Sequence, residues 1–425
     1  MSDTGRDSPG KGPGGGVEQA VFTGSFTQQE PLSNAAIGAA LAVMRHGRLH
    51  RYNLAPGEAG EVALFEQEFA AFTGARHCLA VASGGYALAT ALRALGVGAG
   101  APVLTNAFTL APVPGAIASL GARPVFVETT DALTIDFADL ARKAVQSGAR
   151  VLLLSHMRGH VCDMDRLMAL AADTGLAVIE DCAHTMGATW GGVPSGRHGI
   201  VACYSTQTYK HLNSGEGGLL ISDDPDLMAR AVLLSGSYMF HDRHLAAPPP
   251  AVLARHVAGT PNISGRMDNL RAAILRPQLA DLGRRIAAWN ERYRTVEAGL
   301  RSTPGLALIE RPANEGFVGS SIQFRLPGWP AAAIEAVVAG CARRGVELKW
   351  FGAPRPHGFT ARYAHWAWAD PAPLPQTDRI LSGLLDMRLP LSFSLEDCRL
   401  IARIIDEEVR AADGERAQGA RSGKV

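Results

Sequence analysis

From His77 to Asp223 the chain alternates short apolar runs with stretches of helical spacing. The runs His77–Ser83, Pro102–Asn106, Pro124–Glu128, Arg150–His156, Leu176–Asp181, Ile200–Ser205 and Gly218–Ser222 predict strands. Between them, Tyr86–Leu95, Val113–Leu120, Phe137–Gln146 and Met164–Thr174 carry apolar residues at helical intervals. Several strands are apolar throughout rather than alternating, the pattern of a parallel sheet with helices on both faces. The expected fold is α/β: a doubly wound, mostly parallel sheet in a large domain, followed by a smaller C-terminal α/β domain.

The pattern divides the rest of the chain. Residues 1–20 read as a disordered tail, residues 21–60 as an N-terminal helical segment and residues 61–267 as the large domain. Residues 268–411 read as a linker helix and small domain, and residues 412–425 as a second disordered tail. The helix expected over Leu32–Arg51 has no sheet partner nearby and is expected to pack on the small domain. Tyr238–Gly265, with Pro248-Pro249-Pro250, reads as a long loop. In the small domain, Ser321–Leu326 and Val346–Lys349 are strand-like, and Ala331–Arg344 and Leu395–Ala411 are helical.

Composition narrows the function. Apolar residues make up 47% of 425, enough for a large core, and the net charge is +1 with signs interspersed. Nothing in that balance calls for a nucleic acid, and no apolar run reaches the ~18 residues of a membrane span. The polar, Gly-rich start lacks the apolar segment of a signal peptide. Six scattered cysteines without a CxxC pair read as reduced thiols of a cytoplasmic protein.

The candidate chemistry lies where the strands end. In doubly wound sheets, ligands bind beyond the carboxyl ends of the strands. Ser83-Gly84-Gly85, Asn106-Ala107-Phe108, His156, Asp181 and Ser205 all fall there. A carboxylate ending one strand and a lysine just after the next suit pyridoxal phosphate. Lys210 can form a Schiff base with the cofactor aldehyde, and Asp181 can keep the pyridine nitrogen protonated. The plain alternatives are a surface lysine before a hairpin and an Asp capping a helix. Glu180 points away from Asp181 if the strand stays regular. His184 is placed to hydrogen-bond the cofactor or stack near its ring. Ser83-Gly84-Gly85 opens a helix, so its backbone N–H groups suit a phosphate, and Ser205 can add a hydroxyl. This turn is not GxGxxG, which argues against a dinucleotide. His156 and His160 stand four apart, but the intervening residues read as a loop with no third ligand, and no metal is expected. Two readings stand for Arg158: a clamp on a substrate carboxylate or a salt bridge.

Together these residues resemble the DegT/DnrJ/EryC1/StrS family of pyridoxal-phosphate aminotransferases, over about Leu41 to Arg410. The resemblance rests on Glu180-Asp181-Cys182-Ala183-His184, Ser205 to Lys210, Gly215-Glu216-Gly217-Gly218 and Asp163-Met164-Asp165. It implies a fold-type I homodimer with its active site at the subunit interface. Lys210 is then the internal aldimine, Asp181 the pyridinium partner, Ser205 a phosphate ligand and His184 the cofactor-facing residue. The departures are Gly85 where the family has Thr, Leu110 where it has a ring-stacking aromatic, and Arg158 in a His-Leu-Tyr-Gly motif. Phe108 is the candidate to compensate at the ring. Arg266 stands in an Asn-Tyr-Arg-Met motif whose Asn is displaced to Asn262. The expected activity is ping-pong transfer of an amino group, with glutamate or glutamine as the implied donor. The acceptor is a keto-sugar or a small carboxylated carbonyl compound, and Arg158, Arg266, Trp350 and Arg355 are the candidate substrate contacts. The rivals are another reaction on the same cofactor and a non-catalytic binding or regulatory protein.

Overall fold

The structure, a computed structural model, describes residues 19–358 and 360–422. The tail expected over residues 1–20 lies almost wholly outside them. The large sheet has seven strands: β1 (His77–Val81), β2 (Pro102–Asn106), β3 (Arg123–Val127), β4 (Val151–Ser155), β5 (Ala177–Asp181), β8 (Val201–Ser205) and β9 (Gly218–Ser222). Their order is β1-β9-β8-β5-β4-β2-β3. The pairs β2–β3, β2–β4, β4–β5 and β5–β8 are parallel, while β9 runs antiparallel to both β1 and β8.

Residue alternation explains why the strands look apolar throughout. Along β4, Leu152 and Leu154 enter the core on one face and Val151 and Leu153 the core on the other. The first core is covered by α2 (Glu61–Thr73), α5 (Phe137–Ser147), α6 (Met164–Thr174) and α9 (Asn269–Ala280). The second is covered by α3 (Gly84–Ala94), α4 (Pro112–Ala118), α7 (Pro225–Leu234) and α8 (Pro250–His256). Asp136, Asp163 and Asp224 cap α5, α6 and α7 with side-chain oxygens that accept from first-turn N–H groups.

The small domain carries an antiparallel sheet in the order β10 (Ala307–Leu308), β12 (Ser321–Arg325), β14 (Leu384–Arg388), β13 (Lys349–Trp350). Ile322, Phe324, Leu385, Met387 and Trp350 point into a core closed by α10 (Leu282–Leu300), α11 (Ala331–Arg343) and α13 (Leu395–Ser422). The opposite face turns toward the large domain. A three-stranded patch of β6 (Thr189–Trp190), β7 (Val193–Pro194) and β11 (Glu315–Gly316) also joins the two. The short α12 (Pro375–Ser382) contributes Ile380 and Leu381 to a cluster with Phe108, Met157 and Phe351 that closes the seam.

Four expectations change. The N-terminal helix is α1 (Asn34–His46), and it packs on α9 rather than on the small domain. The preceding Phe22 and Phe26 reach the small domain instead, edge-on against Phe393. The 238–265 stretch holds α8 and 3-10 turns, with Leu253 anchored in the core. The final helix does not stop at Ala411: Val409 and Ala412 are buried, and Asp413 pairs with Arg416 one turn on, so polarity beyond 411 is a solvated helix face. The second small-domain strand is the two-residue β13, displaced toward Trp350.

Candidate active site

Two parallel neighbours set the geometry. β5 ends on Asp181, in register with Ser155 of β4 and Cys203 of β8. Asp181 is buried; its Oδ2 accepts from Ser155 Oγ at 3.0 Å and its Oδ1 from the Ala183 N–H at 3.2 Å. Burial raises its pKa, with the Lys210 charge and those two hydrogen bonds opposing. Glu180, on the other side of the strand, accepts from the N–H groups of Gly196, His198 and Gly199 and pairs with His156. The two adjacent carboxylates therefore serve different partners.

After β8 the chain turns tightly. Ser205 Oγ accepts from the Gln207 N–H, Gln207 Oε1 from the Tyr209 N–H, and the Gln207 carbonyl from the Lys210 N–H at 2.8 Å. Lys210 is half-buried, so its amine stays reachable while protein surrounds most of it. Desolvation lowers its pKa to about 7; Asp181 opposes that shift, and Arg158, Arg388 and Lys349 add to it. Its Nζ lies 2.8 Å from His184 Nε2. His184 is itself held well below its usual value by desolvation and by Lys210. Its Nδ1 accepts the Arg158 N–H at 3.4 Å, which assigns the ring proton to Nε2, directed at the free amine of Lys210.

The Ser83-Gly84-Gly85 turn closes the other end. Ser83 Oγ accepts from the Tyr86 N–H and caps α3, leaving the Gly84 and Gly85 N–H groups as the donors of the first turn. A Cβ on Gly84 would lie 2.8 Å from Ser205 Cβ, and one on Gly218 would lie 2.4 Å from the Ser83 carbonyl oxygen. Those glycines let the turn press against Ser205. At Gly85 an added Cβ would meet nothing within 4 Å. The site thus offers an amine, a carboxylate and an anion cradle.

The small domain contributes a wall that was not read from the sequence. On β14, Asp386 and Arg388 lie on the face opposite Leu385 and Met387; Lys349 pairs in register with Asp386. Arg158 Nη2 stands 2.7 Å from Asp386 Oδ2, and the Arg388 guanidinium lies 3.8 Å from the centre of the Tyr209 ring. Strand alternation was the available signal, in Leu385-Asp386-Met387-Arg388.

Several expected contacts lie elsewhere. Trp350 is buried in the small-domain core, its indole N–H donating to the Ser382 carbonyl at 2.7 Å; its neighbour Lys349 takes the site side. Arg355 is exposed and in no ion pair among the described residues. Phe108 is 1% exposed and stands edge-on to Phe351 at 5.2 Å, filling the domain seam rather than offering a face to a ring. Arg266 donates to the Gly236 carbonyl, which makes it a brace for that turn within the subunit. Asn262 is exposed. Arg158 faces the site and forms a buried salt bridge with Asp386. His160 pairs with Gln323, while His156, Glu180 and Cys182 cluster closely enough for an ion. Their ligand atoms are already engaged, Cys182 with Ser195 Oγ.

Fold and site together define a two-domain α/β protein of the fold-type I aminotransferase architecture. The chain belongs to the DegT/DnrJ/EryC1/StrS aminotransferase family, whose profile matches residues 39–406. It is 33% identical over 284 residues to 3-amino-5-hydroxybenzoate synthase of Amycolatopsis mediterranei (strain S699), covering 63% of this chain and 67% of that protein. It is 36% identical over 264 residues to dTDP-3-amino-3,4,6-trideoxy-alpha-D-glucose transaminase of Streptomyces venezuelae, covering 61% and 64%. The matched stretch thus spans about two thirds of these relatives' length. The crystal structure of 3-amino-5-hydroxybenzoic acid synthase superposes with a TM-score of 0.76 at 26% identity, covering 92% of this chain and 100% of that one.

Proposed function

We propose that the protein is a pyridoxal-phosphate-dependent aminotransferase that moves an amino group from an amino acid donor to a carbonyl acceptor in a biosynthetic pathway. The observation that carries this reading is the pair formed by Lys210 and Asp181. Burial pushes the amine toward its neutral form and the carboxylate toward its acid form. A ring with an electrophilic aldehyde and a basic nitrogen answers both needs, and the glycine-lined turn beside Ser205 answers a phosphate. The residues therefore fit pyridoxal phosphate.

When bound, that group supplies an electron-withdrawing ring that stabilises negative charge on a substrate carbon. The chain's residues do the rest. Lys210 would hold the cofactor through its amine, and when free its Nζ would move a proton at the substrate carbon as a positioned base. Asp181, oriented by Ser155 and the Ala183 N–H, would keep the ring nitrogen protonated. His184 holds Nζ in place. Ser205 and the first-turn N–H groups of α3 take the phosphate.

The proposed donor is glutamate or glutamine, and the two substrates occupy the site in turn. The working form is a homodimer. Tyr238, Met239, Phe240 and Ile263 expose large apolar surfaces, and Asn262 lies beside Ile263, where a second copy would meet it. A cytoplasmic setting is consistent with six free, buried cysteines. Among the described residues, no helix is long and apolar enough to cross a membrane.

The test is a donor screen. Purified protein carrying the cofactor is mixed with single amino acids while visible absorbance and 2-oxo acid release are followed. Glutamate or glutamine is expected to bleach the band and yield one equivalent of 2-oxo acid. Release of ammonia or carbon dioxide instead, or a protein that holds no visible band, overturns the reading.

A further inference from the structure

The small-domain wall of the site carries more positive charge than its surroundings use. Lys349 and Asp386 are cross-strand partners, and Arg388 lies two residues beyond Asp386, so the three share one face of the sheet. That face meets Arg158, which follows β4, and Tyr209, next to Lys210. Three cations thus surround one carboxylate.

Asp386 is fully buried and already accepts from Gln323 Nε2 at 2.8 Å through Oδ1. Its Oδ2 is close to Arg158 but misaligned, leaving Oδ2 and Arg158 Nε without a hydrogen-bond partner. Arg158 is only 9% exposed. Lys349 and Arg388 are half-buried, and among the described residues neither is within ion-pair distance of any carboxylate. Burial lowers the Lys349 ammonium to about 8, with Asp386 opposing and Arg158 and Arg388 adding to the shift. Burial and Arg158 likewise lower Arg388. Partly desolvated cations that crowd one another without a matching anion are costly unless a ligand supplies the charge.

We propose that Lys349 and Arg388, backed by Arg158, form the seat for a substrate carboxylate held opposite Lys210. The inference rests on the aminotransferase reading and narrows it, because it selects a carboxylated acceptor over a neutral keto-sugar ring. The cofactor phosphate has its own cradle at the other end, on Ser205 and the α3 turn. Arg388 is suited to a planar carboxylate: its guanidinium, lying over Tyr209, can present a fork of N–H donors. Lys349 adds a point charge. Donor and acceptor occupy the site in turn, so the shared chemistry is a carboxylate and the experiment separates the two sources.

The probe pair is 3-hydroxybenzoate and its neutral amide, 3-hydroxybenzamide, titrated by calorimetry into the cofactor-loaded protein. The acid is expected to bind at least about tenfold more tightly than the amide, the order of one charge-assisted contact. Arg388→Met and Lys349→Met are each expected to remove most of that preference while the visible cofactor band persists. Arg388→Lys is expected to recover part of it. In parallel, the KM for the amino donor is measured in the same variants. A lost acid preference with an unchanged donor KM assigns the seat to the acceptor; a raised donor KM, with or without that loss, assigns it to the donor's carboxylate and overturns the selection of acceptor. Equal binding of acid and amide to the wild type, or an unchanged preference and donor KM in both Met variants, overturns the seat itself. Failure of the aminotransferase reading shows separately, as a wild-type protein with no visible band.

Discussion

Two clusters of charge are held away from bulk water in this molecule, and they are built differently. The first joins Glu66 of α2 to Arg51, His244 and Tyr52. Arg51 donates to both carboxylate oxygens at 2.9 Å, the Ala80 N–H donates to Oε1 at 2.8 Å, and His244 bridges Arg51 Nη2 and the Tyr52 hydroxyl. Burial alone would raise the Glu66 pKa, but Arg51 and His244 outweigh it and bring it to about 2. The second cluster joins Lys210, Asp181 and His184 to the cationic wall of the small domain. Here burial wins on both partners: the amine falls to about 7 and the carboxylate rises. The difference teaches how to tell a structural network from a site. A charge cluster that satisfies itself locks segments together; here residues 51 and 52, α2, β1 and the 240s are pinned to one point. A cluster that leaves amine, acid and guanidinium incompletely answered is shaped for something that arrives later.

The sharpest way to break this comparison is to truncate one member of each cluster. Lys210→Ala is expected to fold normally but lose amino transfer by more than about a thousandfold, with no visible cofactor band. Glu66→Ala strands the Arg51 charge and is expected to cost about 3–5 kcal/mol of stability, read as a fall in Tm or in the denaturant midpoint. If Lys210→Ala instead destabilised the protein as Glu66→Ala does, the two clusters would be of one kind.

Next in size is the pH dependence. With the Lys210 amine at about 7, cofactor-free protein should capture pyridoxal phosphate at a rate that climbs as pH passes through 7. For an ordinary lysine the climb would come as pH passes through about 10.5. The stability sign follows: between 7 and 10.5 the unfolded chain binds a proton that the folded one does not, so Lys210's contribution to stability rises with pH across that window. Glu66 has the same sign in a lower window: between about 2 and 4.5 the unfolded chain holds a proton that the folded one lacks, so the stability its carboxylate gives above about 4.5 is lost as pH falls through about 2. Arg388→Met removes a cation near Lys210 and should shift the capture midpoint upward. A midpoint near 10 in the wild type would show that the amine is not depressed.

The smallest effect tests the boundary of the site. Trp350→Phe removes the indole bond to the Ser382 carbonyl and should cost about 1 kcal/mol in stability. The donor KM should not change, because Trp350 faces the small-domain core. A raised KM would bring it back among the substrate contacts.

Much of this was legible along the chain. The seven large-sheet strands fall close to where apolar runs end at polar or glycine residues, because a strand buried on both faces needs a nearly continuous apolar run. The shared edge on which Asp181, Ser205 and the Ser83 turn stand followed from strand ends alone, since a doubly wound sheet gathers those ends together. The misses were of another kind. Phe108 sits at a strand end but turns into the seam between domains, where Phe351 packs against it. Trp350 was read as a substrate contact but faces the small-domain core, because a two-residue strand gives too little alternation to show which side faces the site.

By itself, then, the sequence determined where strands and helices lie and which residues crown the large sheet, since side-chain periodicity is a local property of the chain. The tertiary structure alone decided what stands across from Lys210. Asp386 and Arg388 lie more than 170 residues further on, and only the docking of one sheet face against another domain turns them toward it. That choice depends on how two surfaces pack, and packing between distant segments leaves no periodic trace along either of them.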